Sequence, residues 1–408
     1  MKTRILTLGA FAVLSFAALA AEKAAEKAPW EVKPAKPGPA NVMDYGAKGD
    51  GLTDDTAAIQ AAINAVAARG GGKVFFPATE GGYRLASPAR ETVGGKPCRS
   101  QLYIPPGRHT ILLEGEMPPL IEHSDYAVIP LDPEPTSPNN SVTRFGTLVR
   151  SGARLVSDWK PPVETNSAAR PWAMLSVLPG YTSKYYPLNG NCVAIQSLEF
   201  RACLDKERMY AIQTAVNLTT ASRAIVRDSQ FMLNDTIGDG TAGKELQESA
   251  CPTAGLVMSR EMNDDQVIHN VNVQGFKYGI VMAEHTYATY VYLHNNENGL
   301  VFTWSDHLST VDFVTAQHNR RILSVPDEKI FERRCRRRAP VNVNVRGVSI
   351  ETGEGDRPLV SRLEYGVYDP NDRLRGEIEY HILTWGSDMK TDFPVLGAKN
   401  YKVRRFGE

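Results

Sequence analysis

Carboxylate, histidine and aromatic side chains gather in two neighbouring stretches of the chain, residues 260–265 and 284–307. Four carboxylates are the candidate catalytic groups: Glu284, Asp306, Asp264 and Asp265. One carboxyl of a pair can protonate a leaving oxygen while the other acts as base or nucleophile, which is the chemistry of glycoside hydrolysis. Four other side chains are candidates for binding a sugar substrate, because arginine holds acidic groups and tryptophan offers a flat face: Arg260, His285, Trp304 and His307.

A constant spacing of apolar residues predicts how these side chains are positioned. Val271, Val291 and Val311 follow one another at intervals of 20 residues. Each of these valines is the middle residue of a largely apolar triplet, and triplets of this pattern recur six times in the chain. The six are Ile195/Leu198/Phe200, Val226/Ser229/Phe231, Ile268/Val271/Val273, Ala288/Val291/Leu293, Leu308/Val311/Phe313 and Val345/Val348/Ile350. The segments alternate with period two rather than with the helical period. This pattern predicts a β-solenoid with Val271, Val291 and Val311 stacked in one interior column.

The same repeat predicts which residues meet at one corner of the solenoid. Counting 13 residues on from each valine reaches Glu284, Trp304 and Ser324. Successive rungs lie about 4.8 Å apart, so carboxylates on adjacent rungs are expected about 5 to 9 Å apart, a range that suits retaining and inverting hydrolases. Glu284 with Asp306 is the first predicted acid and base pair, and Asp264 with Glu284 is the alternative pair.

The stretch from Asn41 to Leu85 resembles a known N-terminal signature, that of the pectate-lyase-like superfamily with its rhamnogalacturonase-type enzymes and epimerase-like domains. The matching residues are Asp44-Tyr45-Gly46-Ala47, Gly49-Asp50-Gly51, Thr53-Asp54-Asp55-Thr56, Ile59-Gln60, Ala62-Ile63, Gly71-Gly72, Val74, Pro77 and Gly82-Tyr83. The resemblance implies an all-β, single-stranded right-handed parallel β-helix whose N-terminal end is covered by an α-helix. We expect the aspartates of this signature to serve helix caps and turns rather than catalysis.

The resemblance implies a fold and not one activity. The polygalacturonase branch of the superfamily carries Asn-x-Asp, Asp-Asp, Gly-His-Gly and Arg-x-Lys, and here only the pair Asp264-Asp265 is present. A lyase that eliminates across a uronate needs an arginine, lysine, histidine or tyrosine base. Arg260, His285 and Tyr287 are the candidates for that role, so the lyase alternative stays open.

The chain divides into four predicted segments: a signal peptide at 1–20, a flexible linker at 21–40, the β-helix domain at 41–358, and C-terminal capping strands and tail at 359–408. Lys2 and Arg4 precede an apolar run that ends in Ala18-Leu19-Ala20, a pattern typical of a cleavable secretory signal. We therefore expect a secreted or periplasmic protein with no membrane segment in its mature form. Oligomeric state is not indicated by the sequence.

Composition narrows the function further. The chain has 46 basic and 46 acidic residues and a pI near 7.1, so no global field favours nucleic acid. Five cysteines fit no zinc spacing and predict buried thiols with at most two disulfides. No cofactor or metal is expected, although a lyase would admit Ca²⁺. The polar stretch with Asp235 and Asp239 is interpreted as a turn, with a calcium loop as the alternative.

These observations converge on a secreted enzyme that degrades a polysaccharide. The first hypothesis is a glycoside hydrolase, and an acidic substrate would suit Arg260 and the basic run Arg333–Arg338. The second is a polysaccharide lyase acting on a uronate polymer. The third is a non-catalytic β-helix that binds glycans or mediates assembly.

Overall fold

The protein is a right-handed parallel β-helix, as the sequence predicts. The computed structural model describes residues 38–90, 92–93, 96–116, 153–161, 172–178, 190–205, 210–211, 213–234, 254–258, 266–303, 305–326, 339–353, 363–385 and 393–406. In this part of the chain one α-helix, α1 (Thr56–Ala68), follows a short 3-10 helix (Val42–Tyr45), and strands make up nearly all the rest. No helix among these residues is long and apolar enough to cross a membrane.

The strands of the first half of the chain are β1 (Ala40–Asn41), β2 (Asp50–Asp54), β3 (Gly71–Phe76), β4 (Gly82–Leu85), β5 (Thr92–Val93), β6 (Lys96–Pro97), β7 (Ser100–Ile104), β8 (Thr110–Gly115), β9 (Ala153–Ser157), β10 (Trp172–Val177), β11 (Cys192–Gln196), β12 (Leu198–Asp205), β13 (Tyr210–Ala211), β14 (Gln213–Asn217) and β15 (Arg223–Asn234). The second half continues with β16 (Ala254–Val257), β17 (Gln266–Gln274), β18 (Tyr278–Met282), β19 (Thr286–His294), β20 (Asn298–Phe302), β21 (Ser305–Gln317), β22 (Arg321–Ser324), β23 (Val341–Gly353), β24 (Tyr365–Asp369), β25 (Leu374–Trp385), β26 (Val395–Gly397) and β27 (Tyr401–Arg405).

Two long parallel sheets run the length of the solenoid. The main path of the larger sheet is β1-β3-β8-β11-β15-β17-β19-β21-β23-β25-β27, and the smaller sheet runs β26-β24-β22-β20-β18-β16-β14-β10-β7. Successive rungs therefore contribute neighbouring strands to each sheet, as a solenoid requires. A residue on one rung lies directly beside its counterpart on the next, which is how residues far apart in sequence are brought together.

The long strands β15, β17, β19, β21 and β23 of the larger sheet each turn a corner at one residue with left-handed backbone, as does the chain between β11 and β12. The strand register aligns these residues, whose φ angles lie between 49° and 64°, on successive rungs: Ser197, Asp228, Asn270, Tyr290, Phe313 and Gly347. This conformation is uncommon for bulky residues and persists only where surrounding structure holds it. Here the parallel hydrogen bonds on both sides of the bend hold it, so one strand supplies two faces of the rung.

The interior column confirms part of the predicted repeat and corrects the rest. Val271 pairs with Val291 as expected, but Val291 pairs with Val314, and Val311 pairs with Ala288. The predicted stacking of Val311 on Val291 is therefore wrong. Phe302 still pairs with Met282, 20 residues away, whereas Val314 lies 23 residues beyond Val291, so three extra residues enter between β20 and the body of β21.

The insertion moves the interior positions of the affected rung. In the triplet predicted as Leu308/Val311/Phe313, Leu308 is 50% exposed and Phe313 is 57% exposed. Phe313 is exposed because it occupies the bend. Val311, Val314 and Ala316 face the core instead. A three-residue shift preserves the apolar character of one position, which is why the sequence pattern looked continuous.

Helix α1 covers the N-terminal end of the solenoid, as the resemblance implies. Its apolar face is fully buried and consists of Ile59, Ala62, Ile63 and Val66. The Gln60 amide completes the edge of the smaller sheet, donating to Tyr103 O at 2.8 Å and accepting from Tyr103 N at 2.9 Å. The helix thus seals both the hydrophobic end and an unpaired strand edge.

The aspartates of the N-terminal signature bond to backbone in turns. Asp54 accepts from Thr56 N at 3.1 Å at the start of α1, and Asp55 accepts from Lys48 N at 2.6 Å and Gly49 N at 3.0 Å. Asp50 accepts from Leu52 N at 2.9 Å and from Thr53 N at 2.7 Å. These contacts are structural, as expected for this part of the chain.

The C-terminal strands extend both sheets rather than leave them. Strands β24 and β26 continue the smaller sheet, and β25 and β27 continue the larger one, all in parallel. The assignment of residues 359–408 to a cap remains a prediction, because these strands have the same pairing as ordinary rungs. Of the cysteines in the described part of the chain, Cys98 and Cys192 are free thiols, and Cys203 is buried.

Candidate functional site

The strand register brings Glu284 and His307 together at one corner of the solenoid. Tyr287 pairs with Thr310, so the positions three residues earlier on each rung are neighbours. Glu284 lies in the turn before β19, and His307 lies near the start of β21. His307 Nδ1 is 2.9 Å from Glu284 Oε2. The carboxylate side chain is 2% exposed and the imidazole side chain is 65% exposed, so the pair joins a buried anion to a surface ring.

Buried hydroxyl groups hold the backbone of this corner. Thr286 N donates to Ser309 Oγ on the next rung at 3.2 Å, and Ser305 Oγ donates to His307 O at 2.5 Å. The hydroxyls of Ser305 and Ser309 lie 3.3 Å apart. Serine and threonine satisfy the backbone groups that the three-residue insertion removes from the strand ladder. The turn is therefore fixed in place beneath the side chains that it presents.

His285 adds a third functional group to the pair. It has a left-handed backbone with φ of 55°, and its ring stacks on that of His307 with centroids 4.5 Å apart and planes 13° apart. Histidine tolerates this backbone region better than most residues. The two imidazoles and the Glu284 carboxylate each offer one donor atom, and these atoms lie within 4.8 Å of one another.

The arrangement is chemically a carboxylate-oriented histidine. A buried carboxylate that accepts a bond from Nδ1–H selects one imidazole tautomer and stabilises the imidazolium when it forms. The other ring nitrogen, Nε2, then becomes the atom that exchanges a proton with a ligand. Two imidazoles and a carboxylate are also a donor set that transition-metal ions accept.

The structure brings together three of the eight predicted site residues: Glu284, His285 and His307. Asp306 lies within β21 directly before His307, and its side chain is not among those described. The remaining four, Arg260, Asp264, Asp265 and Trp304, lie outside the described residues, as do Asp235, Asp239 and the basic run 333–338. Catalytic and binding roles for all eight remain predictions.

The sequence register predicts Trp304 beside Glu284, a prediction that lies outside the described residues, and the structure places His307 beside Glu284. A signal for this shift exists in the other half of the rung, where Asn296 and Asn319 pair 23 residues apart.

Sequence reasoning also missed Arg373, which is 3% exposed and donates to Thr303 O at 2.9 Å from Nη2. That bond ties a rung near the C-terminus to the end of the segment that precedes the insertion.

Comparison with known proteins agrees with the fold. Residues 40–95 match the family described as rhamnogalacturonase A/epimerase, pectate lyase-like. A mannuronan C5-epimerase, AlgE3 of Azotobacter vinelandii, is 52% identical over 64 residues, which is 16% of this chain and 3% of that protein. Alginate lyase 7 of the same organism is 50% identical over 64 residues, or 16% of this chain and 7% of that protein. The matched segment thus spans a small part of both relatives.

The A-module of mannuronan C-5 epimerase AlgE4 of Azotobacter vinelandii covers a larger share of the chain. Its structure aligns with 90% of this chain and 94% of its own, at 15% identity and a TM-score of 0.35. The chain resembles the pectate-lyase-like superfamily, and the family match lies in residues 40–95, the segment that contains the end-covering helix α1.

Proposed function

We propose that this protein is an enzyme that modifies a polysaccharide by proton transfer at His307. The observation that carries the proposal is the 2.9 Å contact between His307 Nδ1 and the buried Glu284 carboxylate. A buried carboxylate that orients an exposed imidazole is the arrangement that a general base needs. The similarity of residues 40–95 to a rhamnogalacturonase A/epimerase family supports a sugar polymer as the substrate, and the signal-like N-terminus supports an exported enzyme.

The reaction that suits one oriented histidine begins with removal of a proton beside the carboxyl group of a uronate. In β-elimination His307 takes the C5 proton, the freed electron pair forms a C4–C5 double bond, and the C4–oxygen bond breaks. The departing oxygen then takes a proton from the imidazolium. In epimerisation the C4–oxygen bond stays intact, a solvent water molecule on the opposite face of the sugar gives C5 a proton, and the imidazolium then returns its proton to the hydroxide that remains. Glu284 stabilises the imidazolium in both cases.

Similarity to a mannuronan C5-epimerase and an alginate lyase favours this uronate chemistry, since both reaction types share the first proton removal. The family match covers residues 40–95, which contain the covering helix and not His307, so the similarity supports the substrate class rather than the residue roles. A uronate also needs a cation for its carboxylate. Arg260 and the run 333–338 are the sequence candidates for that role.

Glycoside hydrolysis is the second candidate function. It is favoured by the burial of Glu284, because a carboxyl in a poorly solvated setting suits a general acid. Asp306 would then be the base or nucleophile, since it lies directly before His307, the partner of Glu284. A non-catalytic glycan-binding protein is the third alternative, and it requires no proton transfer at all.

Product analysis separates these functions. The full chain is incubated with a panel of plant, algal and microbial polysaccharides, including uronate polymers. A lyase yields unsaturated uronates that absorb in the ultraviolet, and an epimerase changes the proton NMR spectrum without chain cleavage. A hydrolase yields reducing ends without that absorbance, whereas a binding protein is retained on a glycan gel and yields no product.

The matched variants are His307→Ala and His269→Ala, since both remove an exposed histidine of the larger sheet. We expect His307→Ala to lower turnover by about 100-fold or more, the contribution of positioned proton transfer. His269→Ala should retain activity. Full activity of His307→Ala on a confirmed substrate would exclude this corner and return attention to Asp235 and Asp239.

A further inference from the structure

We propose that Glu284, His285 and His307 form a binding site for a divalent transition-metal ion of the zinc class. The donor atoms of the three side chains already lie within 4.8 Å of one another. The inference goes beyond the proposed function and concerns the chain without substrate, since an ion between Glu284 and His307 would replace the contact that the proposed proton transfer uses. It also departs from the expectation, drawn from the sequence, of no metal.

The donor set selects the class of ion. Two imidazole nitrogens with one carboxylate oxygen form a set that zinc enzymes use, with a fourth position left for water or substrate. Fe²⁺ and related ions bind the same combination. Ca²⁺ and Mg²⁺ prefer oxygen ligands and a larger number of them, so they are poor occupants of this corner. The chemistry therefore predicts zinc over calcium.

The geometry needs only a small adjustment. Zinc binds nitrogen and oxygen at about 2.0–2.2 Å, which places tetrahedral ligand atoms about 3.3 Å apart. Glu284 Oε2 and His307 Nδ1 are already 2.9 Å apart, so an ion entering between them spreads this contact slightly. The His285 ring must approach from its stacked position at 4.5 Å. His307 is the exposed member and can turn without disturbing the core.

The surrounding structure prepares the site. The Glu284 side chain is 2% exposed, and a cation that approaches an anion in such a poorly solvated setting is bound more strongly than in water. The hydroxyl of Ser309 links the two rungs by accepting from Thr286 N. Ligands on a fixed backbone lose little freedom when the ion binds.

Calorimetric titration of the full chain with Zn²⁺ in a chelator-free buffer tests the proposal. We expect saturable binding of one ion per chain, and no comparable heat from Ca²⁺. Addition of Co²⁺ should give the intense visible absorption of a tetrahedral site. His307→Ala should weaken zinc binding by at least about tenfold, since even outer partners of metal ligands contribute that much.

The controls separate this site from general histidine binding. His269→Ala removes one exposed histidine outside the cluster and should leave zinc affinity unchanged. Glu284→Gln should weaken zinc binding as His307→Ala does, and melting without metal shows whether this buried substitution leaves the fold intact. If it unfolds, His307→Ala and His285→Ala decide. The proposal would be overturned if the wild type bound no zinc, or if His307→Ala and His269→Ala bound zinc with equal affinity. Neither result would bear on catalysis.

Discussion

A pair of histidines lies at each end of the neighbouring strands β19 and β21, partly in the adjoining turns. At the start, His285 and His307 stack with ring centroids 4.5 Å apart and nearly parallel planes. At the other end, His294 and His318 lie with centroids 5.7 Å apart and planes tilted by 45°. Both pairs arise because neighbouring rungs place similar positions side by side. Their surroundings, however, give them opposite properties.

The second pair lies in a structural corner. Burial and the nearby His318 lower the pKa of His294 to about 4, and burial also lowers the pKa of His318. Beside them runs a ladder of buried amides, in which Asn296 N donates to Asn319 Oδ1 at 3.0 Å and Asn296 Nδ2 donates to Val273 O at 2.9 Å. These side chains satisfy backbone groups at the turn.

The first pair differs in two respects that matter for chemistry. A buried carboxylate contacts one of its rings, and that ring is mostly exposed. Stacked polar residues at a solenoid corner are therefore not by themselves the mark of a functional site. The informative feature is a buried charge whose partner reaches the surface.

The largest effect is expected from a core substitution that disrupts the rung on which both histidine pairs depend. Val291 lies between them in β19 and is fully buried. Val291→Asp places an unpaired charge in the interior column, which should lower the free energy of unfolding by about 4 kcal/mol or more. Thermal melting measures the loss. Tyr287→Asp, at a half-exposed position of the same strand, is the control, and a normal melt from Val291→Asp would contradict the interior assignment.

Turnover should distinguish the two ends of the strands. On a confirmed polysaccharide substrate, Glu284→Gln should lower kcat by about 100-fold, because the imidazole loses the anion that stabilises its protonated form. His318→Ala, at the structural end, should leave kcat within about twofold once folding is verified. Equal losses in the two variants would show that the comparison between the two corners is mistaken.

The amide ladder should matter for stability and not for chemistry. Asn296→Ala leaves backbone groups of Phe276 and Val273 without their side-chain partner, since Phe276 N donates to Asn296 Oδ1 at 3.0 Å. We expect a loss of about 2 kcal/mol in the free energy of unfolding, measured by denaturant titration. His269→Ala, which removes an exposed histidine of the larger sheet, should change stability by less than about 1 kcal/mol. The reverse order would count against a structural role for this corner.

The smallest effect is a pH dependence that comes from His294. Its pKa is near 4 in the folded chain against an ordinary 6.5. Above pH 6.5 both states carry a neutral ring and stability is full. As pH falls from about 6.5 to about 4, the unfolded chain takes up a proton that the folded chain does not, so stability decreases. We expect about 2 kcal/mol over this window, allowing for partial exposure of the ring. His294→Asn should flatten that slope, and an unchanged slope would refute the assignment.

The sequence alone determined the fold class and part of the site. The N-terminal signature and the 20-residue interval predicted a parallel β-helix with a covering helix, and Val271 does stack on Val291. Both signals are local or strictly periodic, so they survive without knowledge of distant contacts. Glu284, His285 and His307 were predicted to share one corner because each follows a strand of the repeat. That assignment needed only the approximate period.

Only the tertiary structure decided which of these side chains touch. Three extra residues between β20 and the body of β21 put His307 beside Glu284, and they put Val314 beside Val291. Apolar residues at both Val311 and Val314 made the two registers equally compatible with the apolar pattern, and only the spacing of Asn296 and Asn319 differed. Hydrogen bonding between strands resolves the choice, because each rung must pair along its whole length with its neighbours. The contact between Glu284 and His307 is a consequence of that pairing.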